Sequence, residues 1–148
     1  MADERAMWTC QKCGRTFANR NQTHTCGLHS LESHLRGKSP EIRALYDAFV
    51  AMLKENGPVT VLPEKTRIAF HVRMSFAQVT PKQSWIDGHF VLARAVTDAV
   101  FRRVETFSPR NHVHHFRLLR VSDVDNLRRF AAEAYAVGRR EHVRKAKK

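Results

Sequence analysis

Beyond residue 26 the 148-residue chain has no cysteine, and it has three in all. The body of the protein therefore cannot be a disulfide scaffold and must fold on its apolar contacts. Acids are scarce as well, 14 against 26 Lys and Arg, which leaves a formal charge of +12 and makes a polyanion the natural counter-charge. No apolar run approaches the length of a membrane span, and Met1 to Met7 is too polar and too acidic for a signal peptide, so the expectation is a soluble, cytoplasmic protein without a membrane partner. Catalytic signatures are missing too: there is no G-x-x-x-x-G-K-[ST] loop, no G-x-S-x-G elbow and no H-E-x-x-H helix. His114-His115 beside Asn111 has a superficial likeness to a histidine-metal nuclease. However, Phe116-Arg-Leu-Leu-Arg120 continues a strand and no acidic or histidine-bearing helix follows closely, so a non-enzymatic role is expected.

What is present is concentrated at the N-terminus. Cys10, Cys13, His24 and Cys26 spell C-x2-C-x10-H-x-C and use every thiol in the chain. Three thiolates and an imidazole suit zinc, a borderline-soft ion with no d-electron geometry to satisfy, and four filled positions make the site structural rather than catalytic. Gly14 permits the backbone angle that closes a zinc turn after Cys13, with Phe17 and Trp8 to cover the metal. Cys26-Gly-Leu-His29 is also a legal C-x2-H spacing, so His29 competes with His24 as fourth ligand and His34 is a more distant choice. His24 is favoured because Asn21, Gln22 and Thr23 form a polar turn that presents it together with Cys26, whereas Leu28 to Leu35 looks like the start of a helix. So short a segment cannot fold on buried area alone, and the metal would supply its folding energy.

The positive charge is unevenly spread. Residues 1–39 carry six Lys and Arg against three acids, residues 40–138 fourteen against ten, and residues 139–148 six against one. Lys12, Arg15 and Arg20 in the knuckle, with Arg139, Arg140, Arg144 and their neighbours in the tail, are what a phosphate backbone attracts. The same tail would also serve as a solvated extension that confers solubility.

The rest reads as one domain. Ser30 to Arg36 predicts a short helix that Gly37 breaks. Ser39-Pro40-Glu41 is an N-cap, a proline at the first helical position and an acid in the first turn, followed by a stripe of Ile42, Leu45, Tyr46, Phe49 and Leu53 that ends at Gly57-Pro58. Val59 to Leu62 is a short strand. Arg67 to Ala77 alternates without interruption and predicts one half-buried strand with Ile68, Phe70, Val72, Met74 and Phe76 inward. Trp85 to Ala93 returns antiparallel, and strands near 101–107 and 112–119 are joined at Ser108-Pro109-Arg110-Asn111. Ser122-Asp-Val-Asp125 predicts a capping box for a last helix with Leu127, Phe130, Ala131, Ala134 and Tyr135 buried and Gly138 as its stop. The expected class is α+β: a zinc knuckle over 1–36, a four- or five-stranded antiparallel sheet packed by two helices over 37–138, and a basic tail over 139–148.

Nine histidines are many for this length. Alternation puts His71, Arg73, His89 and His115 on one sheet face, a candidate site for a ligand or anion, while His114 falls on the other. Strand histidines also serve as plain structural groups bonded to backbone.

Trp8-Thr-Cys-x-x-Cys-Gly-Arg-x-Phe17, Asn21-Gln-x-His-x-Cys26, Arg73-Met-Ser-Phe-Ala77 and Glu133-Ala-Tyr135 with Gly138 together resemble a bacterial family of small proteins. Its members couple an N-terminal zinc knuckle to a conserved domain of unknown function. The resemblance implies a structural zinc on Cys10, Cys13, His24 and Cys26. Relatives of the second domain occur beside other modules, some related to DNA restriction, which implies work on nucleic acid. The expected role is a zinc-binding accessory protein that contacts nucleic acid through Arg15, Arg20, Arg73 and the tail with weak sequence preference. Two alternatives stand beside it: a protein-interaction module docked through the knuckle, and a small-ligand or anion-binding domain using the histidine and arginine sheet face.

Overall fold

The computed structural model describes the backbone of residues 8–9 and 16–17 and the whole of residues 30–140. Strands β1 (Trp8–Thr9) and β2 (Thr16–Phe17) pair antiparallel, Trp8 opposite Phe17 and Thr9 opposite Thr16. Helix α1 (Leu31–Leu35) is capped by the Ser30 hydroxyl, which accepts from the Ser33 N–H at 3.1 Å. It stops before Gly37, whose φ of 76° lies in the left-handed region that other residues enter only at a cost. Helix α2 (Pro40–Lys54) opens as the sequence dictates, with the Ser39 hydroxyl accepting from the Ile42 N–H at 3.2 Å and Pro40 giving up a donor that would have had no partner.

A six-stranded, wholly antiparallel sheet follows: β3 (Thr60–Pro63), β4 (Ile68–His71), β5 (Ser75–Pro81), β6 (Ile86–Leu92), β7 (Arg103–Ser108) and β8 (Asn111–Leu118). Their spatial order is β3-β4-β5-β6-β8-β7. After β6 the chain skips one position, enters the edge as β7 and returns as β8 beside β6. The buried imidazole of His114 secures this crossover, because its Nε2 accepts from the Val96 N–H at 2.9 Å while its Nδ1–H donates to the His112 carbonyl at 2.9 Å.

Helices α2 and α3 (Val121–Gly138) pack on each other and on one face of the sheet. Phe49, fully buried on α2, meets Phe70, Phe90 and Phe116 with centroids 5.5, 6.0 and 5.7 Å away, so three strands are tied to one helix by ring contacts. Leu35 joins the same core, Arg43 bonds Glu32 and the Leu35 carbonyl at 2.9 and 3.0 Å, and His34 reaches the Glu64 carbonyl at 2.5 Å. Helix α1, which the sequence pattern grouped with the knuckle, is thus packed into the α+β body.

Two local expectations are corrected. The run from Arg67 to Ala77 is not one strand but a hairpin, which accounts for the sixth strand. The N–H groups of Arg73 and Met74 both donate to the Gly138 carbonyl, at 2.8 and 3.0 Å, and turn the chain at Val72 to Met74. The last helix begins at Val121 rather than beyond Ser122. The Asp123 carboxylate accepts from the N–H groups of Leu119 and Arg120 at 2.8 and 3.1 Å, fixing the start two residues early. Among the described residues no helix is long and apolar enough to cross a membrane.

Candidate functional site

The face turned away from α2 and α3 carries a groove of about 480 Å³. Strand pairing lays its floor out in rows. Gln78 lies opposite His89, His89 opposite His115, and His115 opposite Arg103, one row across β5, β6, β8 and β7. The adjacent row is Thr80, Asp87 and Arg117. Arg67, just before β4, and Arg102, just before β7, complete the walls, so four guanidinium groups meet one carboxylate on the lining. A second groove of about 450 Å³, lined by Val100, Leu118, Leu119 and Leu127, shares Arg102 and Arg117 with the first.

Some of these groups are held and some are not. Arg117 donates to Asp87 at 2.8 Å and lies over the Trp85 ring at 4.4 Å from its centroid, and the Trp85 indole N–H donates to the same carboxylate at 3.1 Å. Burial pushes the Asp87 carboxyl up, but the bonds from Arg117 and Trp85 outweigh it and leave the group below the usual carboxylate range. His115 bonds Glu105 at 2.6 Å, which holds that carboxyl below its ordinary value, and Arg103 reaches the same Glu105 oxygen at 3.4 Å. Arg102 is exposed and its side chain makes no ion pair among the described residues. His89 stands edge-on to His115 with centroids 5.5 Å apart and makes no side-chain hydrogen bond among the described residues. Burial first, then the neighbouring His115 and Arg67, push its pKa down to about 4, so the ring is neutral at physiological pH. Gln78 Oε1 is buried beside it with no hydrogen-bond partner among the described residues.

Of the four side chains assigned to this face, two meet there. His89 and His115 line the groove, whereas His71 and Arg73 are buried, 2% and 5% exposed, and do not. A register shift between Phe70 and His71 breaks the alternation that linked them. His112 is a structural group, bonded to Thr106 at 2.8 Å and the Pro109 carbonyl at 3.0 Å. Arg139 and Arg140 are half-buried just past α3. Cys10, Cys13, His24, Cys26, His29, Lys12, Arg15, Arg20 and Arg144 lie outside the described residues. Among the described residues no cluster of three or more His, Cys, Asp or Glu is placed to hold a metal ion. Sequence reasoning missed Arg67, Arg102, Arg103 and Arg117 as a group; the available signal was that Arg117 shares the parity of His115 and Arg67 that of Ala69.

Residues 31–138 match a family described as Domain of unknown function (DUF5655), and the chain belongs to that family. No curated protein and no solved structure matches the chain.

Proposed function

We propose that this protein is a zinc-binding accessory factor that holds nucleic acid without reacting with it, chiefly through phosphate contacts and with weak sequence preference. The observation that carries the reading is the convergence of Arg67, Arg102, Arg103 and Arg117 on one sheet face, where Arg102 has no ion-pair partner among the described residues. Guanidinium groups bind phosphate oxygens in a planar fork and add affinity that depends on counterion release rather than on base identity.

On this reading the N-terminal segment is the zinc knuckle of the bacterial small proteins that the chain resembles. Cys10, Cys13, His24 and Cys26 would hold one ion, and their thiolates suit the reducing cytoplasm. The pairing of Trp8 with Phe17 agrees with a metal site closed across a short hairpin. The zinc supplies local folding energy, and Lys12, Arg15, Arg20 and Arg144 add cationic groups to those of the groove.

The test is binding of zinc-loaded full-length protein to labelled single- and double-stranded DNA and RNA across a salt series. Affinity should fall steeply between about 50 and 200 mM salt, and Arg102→Ala with Arg103→Ala should flatten the log–log slope by about 2, roughly 1 for each phosphate no longer neutralised. Binding that tolerates salt, or a slope unchanged in the double variant, would remove the groove from the reading.

A further inference from the structure

A surface that only neutralises phosphate needs exposed cations, and nothing else about it need be shaped. This groove has more. Its floor carries a buried amide oxygen, Gln78 Oε1, with no donor among the described residues, directly across the strand pair from the His89 ring, which makes no side-chain hydrogen bond among them. A buried acceptor left without a donor costs stability, and the cost is recovered when a ligand brings an N–H or O–H to it. The His89 ring, met edge-on by His115 at 69°, offers a flat face beside that acceptor. The anion-binding groups stand at the wall: Arg102 with no ion pair among the described residues, and Arg103 with a long contact of 3.4 Å to Glu105. The groove volume of about 480 Å³ falls in the range of small-molecule sites, roughly 300–1,000 Å³.

We propose that the groove is a single-nucleotide site, with the phosphate held by Arg102 and Arg103 and the base lying on the His89 ring so that one of its N–H groups donates to Gln78 Oε1. The ligand must carry an anion and a hydrogen-bond donor on a flat ring, separated by about the width of the sheet row from Gln78 to Arg103. A nucleotide has both; inorganic phosphate, a sugar phosphate and a nucleoside each lack one. The site deepens the nucleic-acid reading, since its phosphate end is part of the same arginine surface, but it also stands without it. A free nucleotide and the terminal nucleotide of a strand present the same chemistry.

The experiment titrates the zinc-loaded full chain with adenosine 5′-monophosphate, ribose 5-phosphate and adenosine, following amide resonances of β5, β6 and β8. The monophosphate should bind at 1:1 with at least tenfold higher affinity than either fragment. Gln78→Met, which keeps length and loses the acceptor, should cost the monophosphate at least fivefold and leave ribose 5-phosphate unchanged; Arg102→Ala should weaken both phosphates alike. Each variant is first checked for an unchanged amide spectrum away from the groove. Should Gln78→Met fail that check, His89→Asn, which removes the ring that the base lies on, is read in its place against the same criterion. Equal affinity for the monophosphate and ribose 5-phosphate would overturn the site, as would an unaltered monophosphate affinity in the floor variant. Competition by a 5′-phosphorylated oligonucleotide, and none by its unphosphorylated form, assigns the site to strand ends; no competition by either assigns it to free nucleotides. Monophosphate binding without any salt-dependent polynucleotide binding would sink the proposed function and leave this site standing, and the reverse result would sink the site alone.

Discussion

Replacing Gly138 by alanine decides whether the close approach of α3 to β5 matters, because two effects of opposite sign compete there. In a helix without a close neighbour, Gly→Ala is worth up to about 1 kcal/mol of stabilisation. Here a Cβ built on Gly138 would lie 2.5 Å from Phe76 Cδ1, 3.0 Å from Cγ and 3.3 Å from Cβ, each well inside the ~3.5–4.0 Å of an ordinary carbon contact. Neither side yields readily. Phe76 is fully buried and edge-on to Tyr135 at 5.7 Å, and the Tyr135 hydroxyl donates to the Pro58 carbonyl at 2.8 Å. The Gly138 backbone is tied to the β4–β5 turn through its carbonyl. Overpacking a site of this kind costs about 1–3 kcal/mol, so against a gain of up to about 1 kcal/mol the clash should win and leave a net loss of about 1 kcal/mol. In a body of this size that lowers Tm by roughly 4 °C. Urea and thermal unfolding of Gly138→Ala, Phe76→Leu and the double variant measure it. The shorter leucine side chain can turn away, so the double variant should recover at least about 1 kcal/mol relative to additivity. A higher unfolding midpoint in Gly138→Ala, or additivity within about 0.5 kcal/mol, would refute the clash.

Stability should also depend on pH through His89, whose neutral ring is favoured in the folded chain. Below about 6.5 the unfolded chain binds a proton that the folded one refuses, so stability is full above pH 6.5 and falls as pH drops toward about 4, by at most about 3 kcal/mol. His114, also pushed down by burial, adds to the loss in the same direction; urea midpoints unchanged from about pH 7.5 to about pH 4.5 would show that neither ring is held neutral. Cys13→Ser should abolish zinc binding and leave the unfolding transition of the α+β body in place, because that body has its own apolar core; loss of both together, seen by metal analysis and circular dichroism, would mean that the knuckle is integral to it. Removing residues 141–148 should flatten the salt dependence of nucleic-acid binding without lowering Tm, since Arg139 and Arg140 remain to close the end of α3, and an unchanged slope would exclude the tail from the interface.

What the chain discloses on its own depends on how far each cause reaches. The α2 cap and stripe were legible because Ser39, Pro40 and the apolar positions act within one or two turns. The return of Trp85 to Ala93 as an antiparallel strand was legible too, and Ile86, Phe90 and Leu92 of β6 are buried, because a half-covered strand repeats its environment every second position. The hairpin at Val72 to Met74 was not legible: the carbonyl that turns it belongs to Gly138, at the far end of the domain, and the apolar alternation runs through the turn unbroken. The same turn removes His71 and Arg73 from the groove to which parity assigned them, while His89 and His115, on unbroken neighbouring strands, stay in register.

Charge follows the same division. Counted along the chain, residues 40–138 carry fourteen cations against ten acids, a count that is blind to faces. In the fold the balance is local. Glu55, Asp125, Asp98 and Glu133 are taken by Arg128, Arg129 and Arg94 around α3, and Glu32 by Arg43. The acids near the groove are Asp87, held by Arg117; Glu105, shared by His115 and Arg103; and Glu64, paired with Arg67. Each is already engaged, and Arg102 is left over among the described residues. Because the acids near the groove are matched by Arg67, Arg103 and Arg117, its excess charge comes down to Arg102, standing over a floor that still has an acceptor to satisfy.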